Sequence, residues 1–258
     1  AKVQLVLSGA TINRDASAAV YVRTADKVFI TLEDGTTNTL SSAGEFAAID
    51  DNNIDSAVFS KEDLTFNGSG SLKVSSEFGH GIVSKDDLVF TGGTYDITAA
   101  SHGIQGKDSV RIGGGDFTIV SGKDGVHAEN TDDATLGFIY VSGGTFDITA
   151  ETDGLDAAAY LQVKAGTFAL ATGGGSENAS TDGEGNGIPG WGQWGRNPGQ
   201  RPGQAPGQGQ GSGASTSIAE TATSSAKGLK ADGDLLIEAG TFVIDSSDDS
   251  LHSNSNIY

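Results

Sequence analysis

The chain has 258 residues, 36% hydrophobic and 7% aromatic, with 39 glycines, no cysteine and a formal net charge of −19. The absence of cysteine excludes a cystine-stapled scaffold, a thiolate metal site and a cysteine nucleophile. No apolar run approaches the ~18 residues of a membrane span, so no direct membrane insertion is expected. The carboxylate excess argues against nucleic acid or anionic lipid as a partner, because both repel it, while bound cations would relieve it. No methionine or leader segment is visible, as expected of a mature or trimmed form of a secreted protein.

In chain order, residues 1–50 are irregular but strand-like, and Val3 to Leu7, Val20 to Val22 and Val28 to Leu32 read as strands of the first coils. Weak copies of a repeat open at Ala19 and Ala57. A clear copy runs from Gly81 to Thr98, returns 22 residues later from Gly103, and opens again at Gly125, Gly154 and Gly228; Ser250 begins a last one. Its pattern is Gly-apolar-x-small, then acidic-x-apolar-x-apolar, then Gly-Gly-Thr-aromatic-x-Ile. Each copy holds three segments with apolar residues at period two, which points one set inward along three short strands. Residues this rich in Gly, Thr and Phe make poor helices.

The pattern predicts an all-β chain: a right-handed, single-stranded parallel β-helix with about 22 residues and three strands per coil. The first strand buries Ile82, Ile104, Val126, Leu155, Leu229 and Leu251. The second buries pairs such as Leu88 with Phe90, and the third pairs such as Tyr95 with Ile97. The Gly pairs 92–93, 113–114 and 143–144 mark a corner where positive φ is cheap. An excess around Asn130 to Leu136 predicts a small bulging loop. Residues 173–226, rich in Gly, Pro, Ser and Gln and containing Trp191 and Trp194, read as a long flexible insertion that buries little.

Outward positions form ladders. They are Val83, Gln105, His127, Asp156, Lys230 and His252 on the first strand, Val89, Arg111, Tyr140, Gln162 and Leu236 on the second, and Asp96, Thr118, Asp147 and Ala169 on the third. Such a face is a bed for an extended glycan, whose hydroxyls meet polar groups and whose ring faces meet aromatic rings. Candidate glycan contacts are Arg111, Tyr140, Gln105, His127, Asp156 and Gln162; the alternative for any one of them is an ordinary solvated strand position. Asp124, Asp153 and Asp156 should lie on neighbouring coils as a candidate oxygen-ligand metal site. Glu129, Asp132 and Asp133 in the small loop make a second candidate, and Asp248 with Asp249 a third. The alternative is that these acids only cap turns. His80 and His102 should stack at one turn, whereas His127 and His252 occupy another repeat position and lie far apart along the axis, which argues against a shared zinc site.

The run Val58 to Gly70, with the segments beginning Gly81-Ile-Val-Ser-Lys-Asp-Asp-Leu, Gly103-Ile-Gln-Gly-Lys-Asp-Ser-Val and Lys227-Gly-Leu-Lys-Ala-Asp-Gly-Asp-Leu, resembles the polysaccharide-binding β-helix proteins on the surface of biomass-degrading bacteria. The resemblance spans roughly residues 18–255. It implies a calcium-containing parallel β-helix, similar in shape to pectate lyases, that binds plant cell-wall polysaccharide outside the cell. Repeats of that family often carry Asp just before the opening Gly. Here the position reads His80, His102, Asp124, Asp153, Lys227 and Asp249, so the implied calcium belongs to the coils that keep the acid.

Two other functions are open at this point. A polysaccharide lyase needs a base beside a metal that acidifies the reacting proton. Arg111 is the one arginine inside the regular coils, and no assembled catalytic motif is visible, so catalysis is not the expected role. A structural or adhesive protein is the other alternative, since uncapped solenoid ends could stack copies end to end as a homo-oligomer.

Overall fold

A computed structural model describes residues 1–49, 53–179 and 225–258. Trp191, Trp194 and the body of the predicted insertion lie outside these residues. The described strands form three parallel sheets of eight strands each, and every coil contributes one strand to each sheet. Each strand therefore pairs with its equivalent one coil away: Ile82 with Ile104 and then Val126, Leu88 with Val110 and then Ile139, Tyr95 with Phe117 and then Phe146. The result is a parallel β-solenoid of about eight turns and about 25 residues per turn. The expected 22 residues hold where Leu88 pairs with Val110 and where Ile139 pairs with Leu161. Loops at the turns lengthen the other coils and raise the mean.

The core consists of columns of near-identical side chains. Ile82, Ile104, Val126, Leu155 and Leu229 are all fully buried. Leu251, expected in the same column, is 37% exposed, because it lies on the edge strand Leu251–Ser253. Beside this column runs an aromatic ladder from Tyr95 through Phe117, Phe146 and Phe168 to Phe242, with ring centroids 4.6–5.1 Å apart and planes within 11° of parallel. Each stacked pair contributes about 0.5–1.5 kcal/mol beyond its buried area. The parallel register enforces the geometry, since it sets equivalent residues one strand spacing apart.

The repeat-opening glycine has a steric cause. A Cβ on Gly103 would lie 2.5 Å from Ile119 Cγ2 and 2.8 Å from the Gly125 carbonyl oxygen. The corner glycines turn with positive φ at Gly93, Gly115 and Gly144. In the middle copy this corrects the expected pair 113–114 to 114–115, because Asp116 pairs with Thr94 and fixes the corner one residue later.

The N-terminal region forms the first coils as expected, with Lys2–Leu7 paired to Lys27–Leu32 and Val20 paired to Val58. Two further strands, Thr11–Arg14 and Thr37–Ser42, complete those coils. Their polar sequence hid them. Asn38 fills the slot that Leu72 fills one coil later, and it is fully buried. Its Oδ1 accepts the Ala10 N–H at 2.8 Å and its Nδ2 donates to the Ser71 carbonyl at 3.2 Å, so the buried amide is satisfied by both neighbouring coils.

The margins of the insertion belong to the solenoid. Gly173 N–H donates to the Ala150 carbonyl, Ser176 N–H to Asp245 Oδ1 at 2.7 Å, and Asp248 N–H to the carbonyl of the fully buried Ala226. The small loop bulges where expected. Asn130 is buried at its base and its Oδ1 accepts the N–H groups of Asp132 and Asp133, while Thr131 to Thr135 are exposed.

Candidate functional site: an acid–histidine cluster and an aromatic groove

The residue before each opening glycine makes one bond to the next coil. His80 Nδ1 accepts the His102 N–H at 3.3 Å, and His102 Nδ1 accepts the Asp124 N–H at 3.2 Å. Asp124 Oδ1 accepts the Asp153 N–H at 2.9 Å, and Asp153 Oδ1 accepts the Lys227 N–H at 2.7 Å. Histidine and aspartate thus do the same turn-capping work at this position. His80 and His102 stack at 5.1 Å, as their repeat position implies. Burial, with the neighbouring positive charge at His102 next, lowers the His80 pKa to about 3.

Asp124, Asp153 and Asp156 converge, each offering an oxygen within 4.8 Å of the others. Alignment did not bring His127 to His102, yet their rings stack at 4.6 Å. Asp124 Oδ2 lies 3.1 Å from His102 Nδ1 and 3.3 Å from His127 Nδ1, and Asp156 Oδ2 lies 3.3 Å from the same His127 nitrogen. That nitrogen is buried and makes no well-aligned hydrogen bond. Burial alone would lower the His127 pKa, but the flanking Asp124 and Asp156 carboxylates outweigh it and raise it to about 9. Burial acts to raise the Asp124 pKa, and contacts from His102, His127 and Thr152 overcome it and hold the carboxyl far below its usual range. Asp153 is pushed up by burial, partly offset by the Lys227 N–H.

Lys230 enters this cluster from the next coil, with Nζ 3.3 Å from Asp153 Oδ2 and 3.0 Å from Asp156 Oδ1. The oxygens suit a hard cation in kind, but the ammonium stands where that cation would. Calcium held by Asp124, Asp153 and Asp156 would have to displace it.

The other two expected acid sites are dispersed. Glu129 turns to Lys85 at 3.2 Å and accepts from Gln105 at 2.6 Å, away from Asp132. Asp133 Oδ1 caps Thr135 within the loop. Asp248 pairs with Lys227 at 2.9 Å, whereas Asp249 pairs with His252 at 3.1 Å.

The first-strand ladder has the expected register, from Val83 through Gln105, His127, Asp156 and Lys230 to His252. It is not an open glycan bed, however. Val83 and Phe59 are covered by a small apolar cluster that includes Ile54 and Phe46. Gln105 and Asp156 are buried, and their polar groups engage the chain itself.

The second-strand face is more open. Arg111, Tyr140 and Gln162 succeed one another on it, and all are half-buried. Arg111 Nη1 pairs with Asp87 at 3.2 Å, and its guanidinium lies 5.0 Å from the Phe138 ring centre. Phe138 stacks in turn on Tyr160 at 4.8 Å with planes 4° apart. Sequence reasoning missed these two rings. The signal was an aromatic residue in two successive coils at the variable position just before the second strand's first apolar residue, which is Asp87 and Ser109 in the earlier copies. Tyr160 lines a groove of about 650 Å³ with Leu236, walled by Asp133 of the bulging loop and by Asp232, Asp234 and Ser255.

Together these features place the chain among the three-sheeted parallel β-helices with an outward aromatic face. The chain belongs to the carbohydrate-binding domain-containing protein family, which it matches over residues 1–258. A relative of that description from Acetivibrio thermocellus is 39% identical over 97 residues, which cover 37% of this chain and 34% of the relative. The aligned stretch thus spans about a third of that relative. Among solved structures, the polysaccharide lyase-like protein from C. thermocellum, a gadolinium derivative, superposes with a TM-score of 0.65 at 35% identity, covering 67% of this chain and 71% of the other.

Proposed function

We propose that this chain is a secreted polysaccharide-binding module whose ligand, a neutral plant-type glycan, lies on Tyr160 and runs along the second-strand face past Tyr140, Gln162 and Arg111. The observation that carries this reading is the stacked Phe138–Tyr160 pair at the edge of an acid-lined groove. A sugar ring presents C–H groups to an aromatic face, and carboxylates at Asp133, Asp232 and Asp234 accept hydrogen bonds from its hydroxyls. Phe138 backs the Tyr160 ring and limits the rotamer freedom lost on binding. The same acids, with the net charge of −19, repel uronates and favour cellulose- or xylan-like chains over pectate. Insoluble glycans of this kind are met outside the cell. The test is retention of the purified chain on insoluble cellulose, xylan and pectate, with and without chelator; failure to bind any of them overturns the reading.

In this reading calcium has a stabilising role in the middle coils, at Asp124, Asp153 and Asp156, and it binds in competition with Lys230. A lyase would need a free base beside the glycan. Arg111 is engaged by Asp87 and Phe138, which favours binding over cleavage. Absorbance from unsaturated products in the same assays would reverse that preference.

A further inference from the structure

We propose that the groove beside Tyr160 receives a sugar branch, so that the preferred ligand is a substituted glycan whose main chain carries side groups at intervals. The inference rests on the reading that the main chain lies on Tyr160 and the second-strand face. Two tracks meet there. One is the ladder Arg111, Tyr140, Gln162 and Leu236, whose parallel register sets each residue one strand spacing from the next. The other is the groove at the turn before those strands. Its volume of about 650 Å³ falls among small-ligand sites, which span about 300–1,000 Å³. Leu236 belongs to the ladder and also lines the groove, so the tracks are contiguous.

The groove has a cause in the sequence. One column of the turn runs Asp86, Asp108, Gly137, Ala159 and Gly233, each joined to the one before it by a backbone hydrogen bond. The first two coils place a carboxylate there, and the next three place a methyl group or nothing. Loss of those side chains hollows the turn beside Tyr160. The hollow is short. The bulging loop, inserted just before Gly137, lines one end of it, and Ser255, on the coil after Gly233, lines the other. Asn130 fixes the loop, because its Nδ2 donates to Asp108 Oδ1 at 2.8 Å while its Oδ1 accepts the N–H groups of Asp132 and Asp133. A glycan following the groove along the solenoid axis would run into that loop, whereas a branch enters from the ladder side.

The walls suit a sugar. Asp133 Oδ1 accepts from Thr135 at 2.7 Å, Asp232 Oδ1 from Asn254 at 3.1 Å, and Asp234 Oδ1 from Ser255 at 2.7 Å. These bonds hold the carboxylates in place before a ligand arrives. A carboxylate has about four acceptor positions, so capacity for sugar hydroxyls remains. A linear chain on the ladder leaves the hollow and its acceptors unused, and a branch would engage them.

The test is calorimetric titration of the full chain with two pairs of soluble ligands. Linear cello-oligosaccharides are compared with xyloglucan oligosaccharides, and linear xylo-oligosaccharides with arabinoxylan oligosaccharides. Members of a pair share a main chain and differ in the branches. In at least one pair the branched member should bind at least about tenfold more tightly. Ala159→Gln, which fills the hollow, should abolish that preference and keep binding of the linear member. Asp232→Arg, at an exposed wall position, repeats the test should Ala159→Gln fail to fold. Equal affinities within every pair that binds, or a preference that survives in the folded variants, would overturn the inference and leave the glycan reading standing. No binding of any of the four would overturn the glycan reading and the inference with it.

Discussion

Asp124 Oδ1 accepts the backbone N–H of Asp153, one coil further along the solenoid, at 2.9 Å. The bond belongs to a series in which His80, His102, Asp124 and Asp153 each cap the equivalent residue of the following coil. Asp124→Ala should therefore lower stability by about 1–3 kcal/mol, the cost of leaving a buried donor unmet. Asp124→Asn keeps an acceptor oxygen and should lose less of the cap. Urea unfolding of the two variants measures the difference, and equal losses would mean that charge pairing with the histidines, not the cap, dominates.

The repeat-opening glycine makes a separate prediction. Gly103→Ala forces a methyl group against Ile119 and the Gly125 carbonyl, at 2.5 and 2.8 Å. Overpacking of this kind costs about 1–3 kcal/mol. A lower urea midpoint with an unchanged m-value is expected. A neutral substitution would show that the coils can spread at that column.

Repeat alignment made most of the fold legible. Once Gly81, Gly103 and Gly125 were set in register, parallel pairing fixed the inward and outward faces of every strand between them, because equivalent residues must stack. The remainder depended on contacts between unlike repeat positions. His102 precedes its glycine and His127 follows the next one, so their stack arises from the path of the turn and has no counterpart in the alignment. The covering of Val83 and Phe59 by Phe46 and Ile54 comes from an irregular segment with no repeat to read. Phe138 and Tyr160 were visible in the sequence but stood at a position that the pattern leaves variable.

Lys230 sets the balance between the chain's own cation and a bound one. Lys230→Met should lower metal-free stability by up to about 3 kcal/mol, the low end for breaking a buried pair, because the lysine is 27% exposed. The melting temperature of this variant should rise more with millimolar calcium than that of the wild type, since an ion that binds only the native state stabilises it. If calcium moves both proteins equally, or neither, the three aspartates are turn caps and ion-pair partners only.

Tyr95 predicts the alkaline limit. Its ring is buried in the aromatic ladder, its hydroxyl donates to the Gly92 carbonyl at 2.7 Å, and burial raises its pKa well above the ordinary 10.0. The folded state thus holds the proton after the unfolded state has released it. The stability from this group is complete below pH ~10 and falls as pH rises toward the folded value. Tyr95→Phe should cost about 1 kcal/mol or less at neutral pH, where one hydrogen bond is lost, and should flatten the decline above pH ~10. Parallel alkaline declines in both proteins would place the cause elsewhere.

The central claim is that a glycan rests on Tyr160, and depletion binding to insoluble cellulose and xylan tests it most directly. The wild type should be retained. Tyr160→Ala, which removes a half-buried ring outside the solenoid core, should bind at least about tenfold more weakly, a change of about 1.4 kcal/mol, while losing in stability only the Phe138 stack, about 0.5–1.5 kcal/mol, and its buried area. Tyr160→Phe, which keeps the ring, should bind nearly as the wild type does. Wild-type retention that is indifferent to Tyr160→Ala would contradict the account and move the glycan to another face.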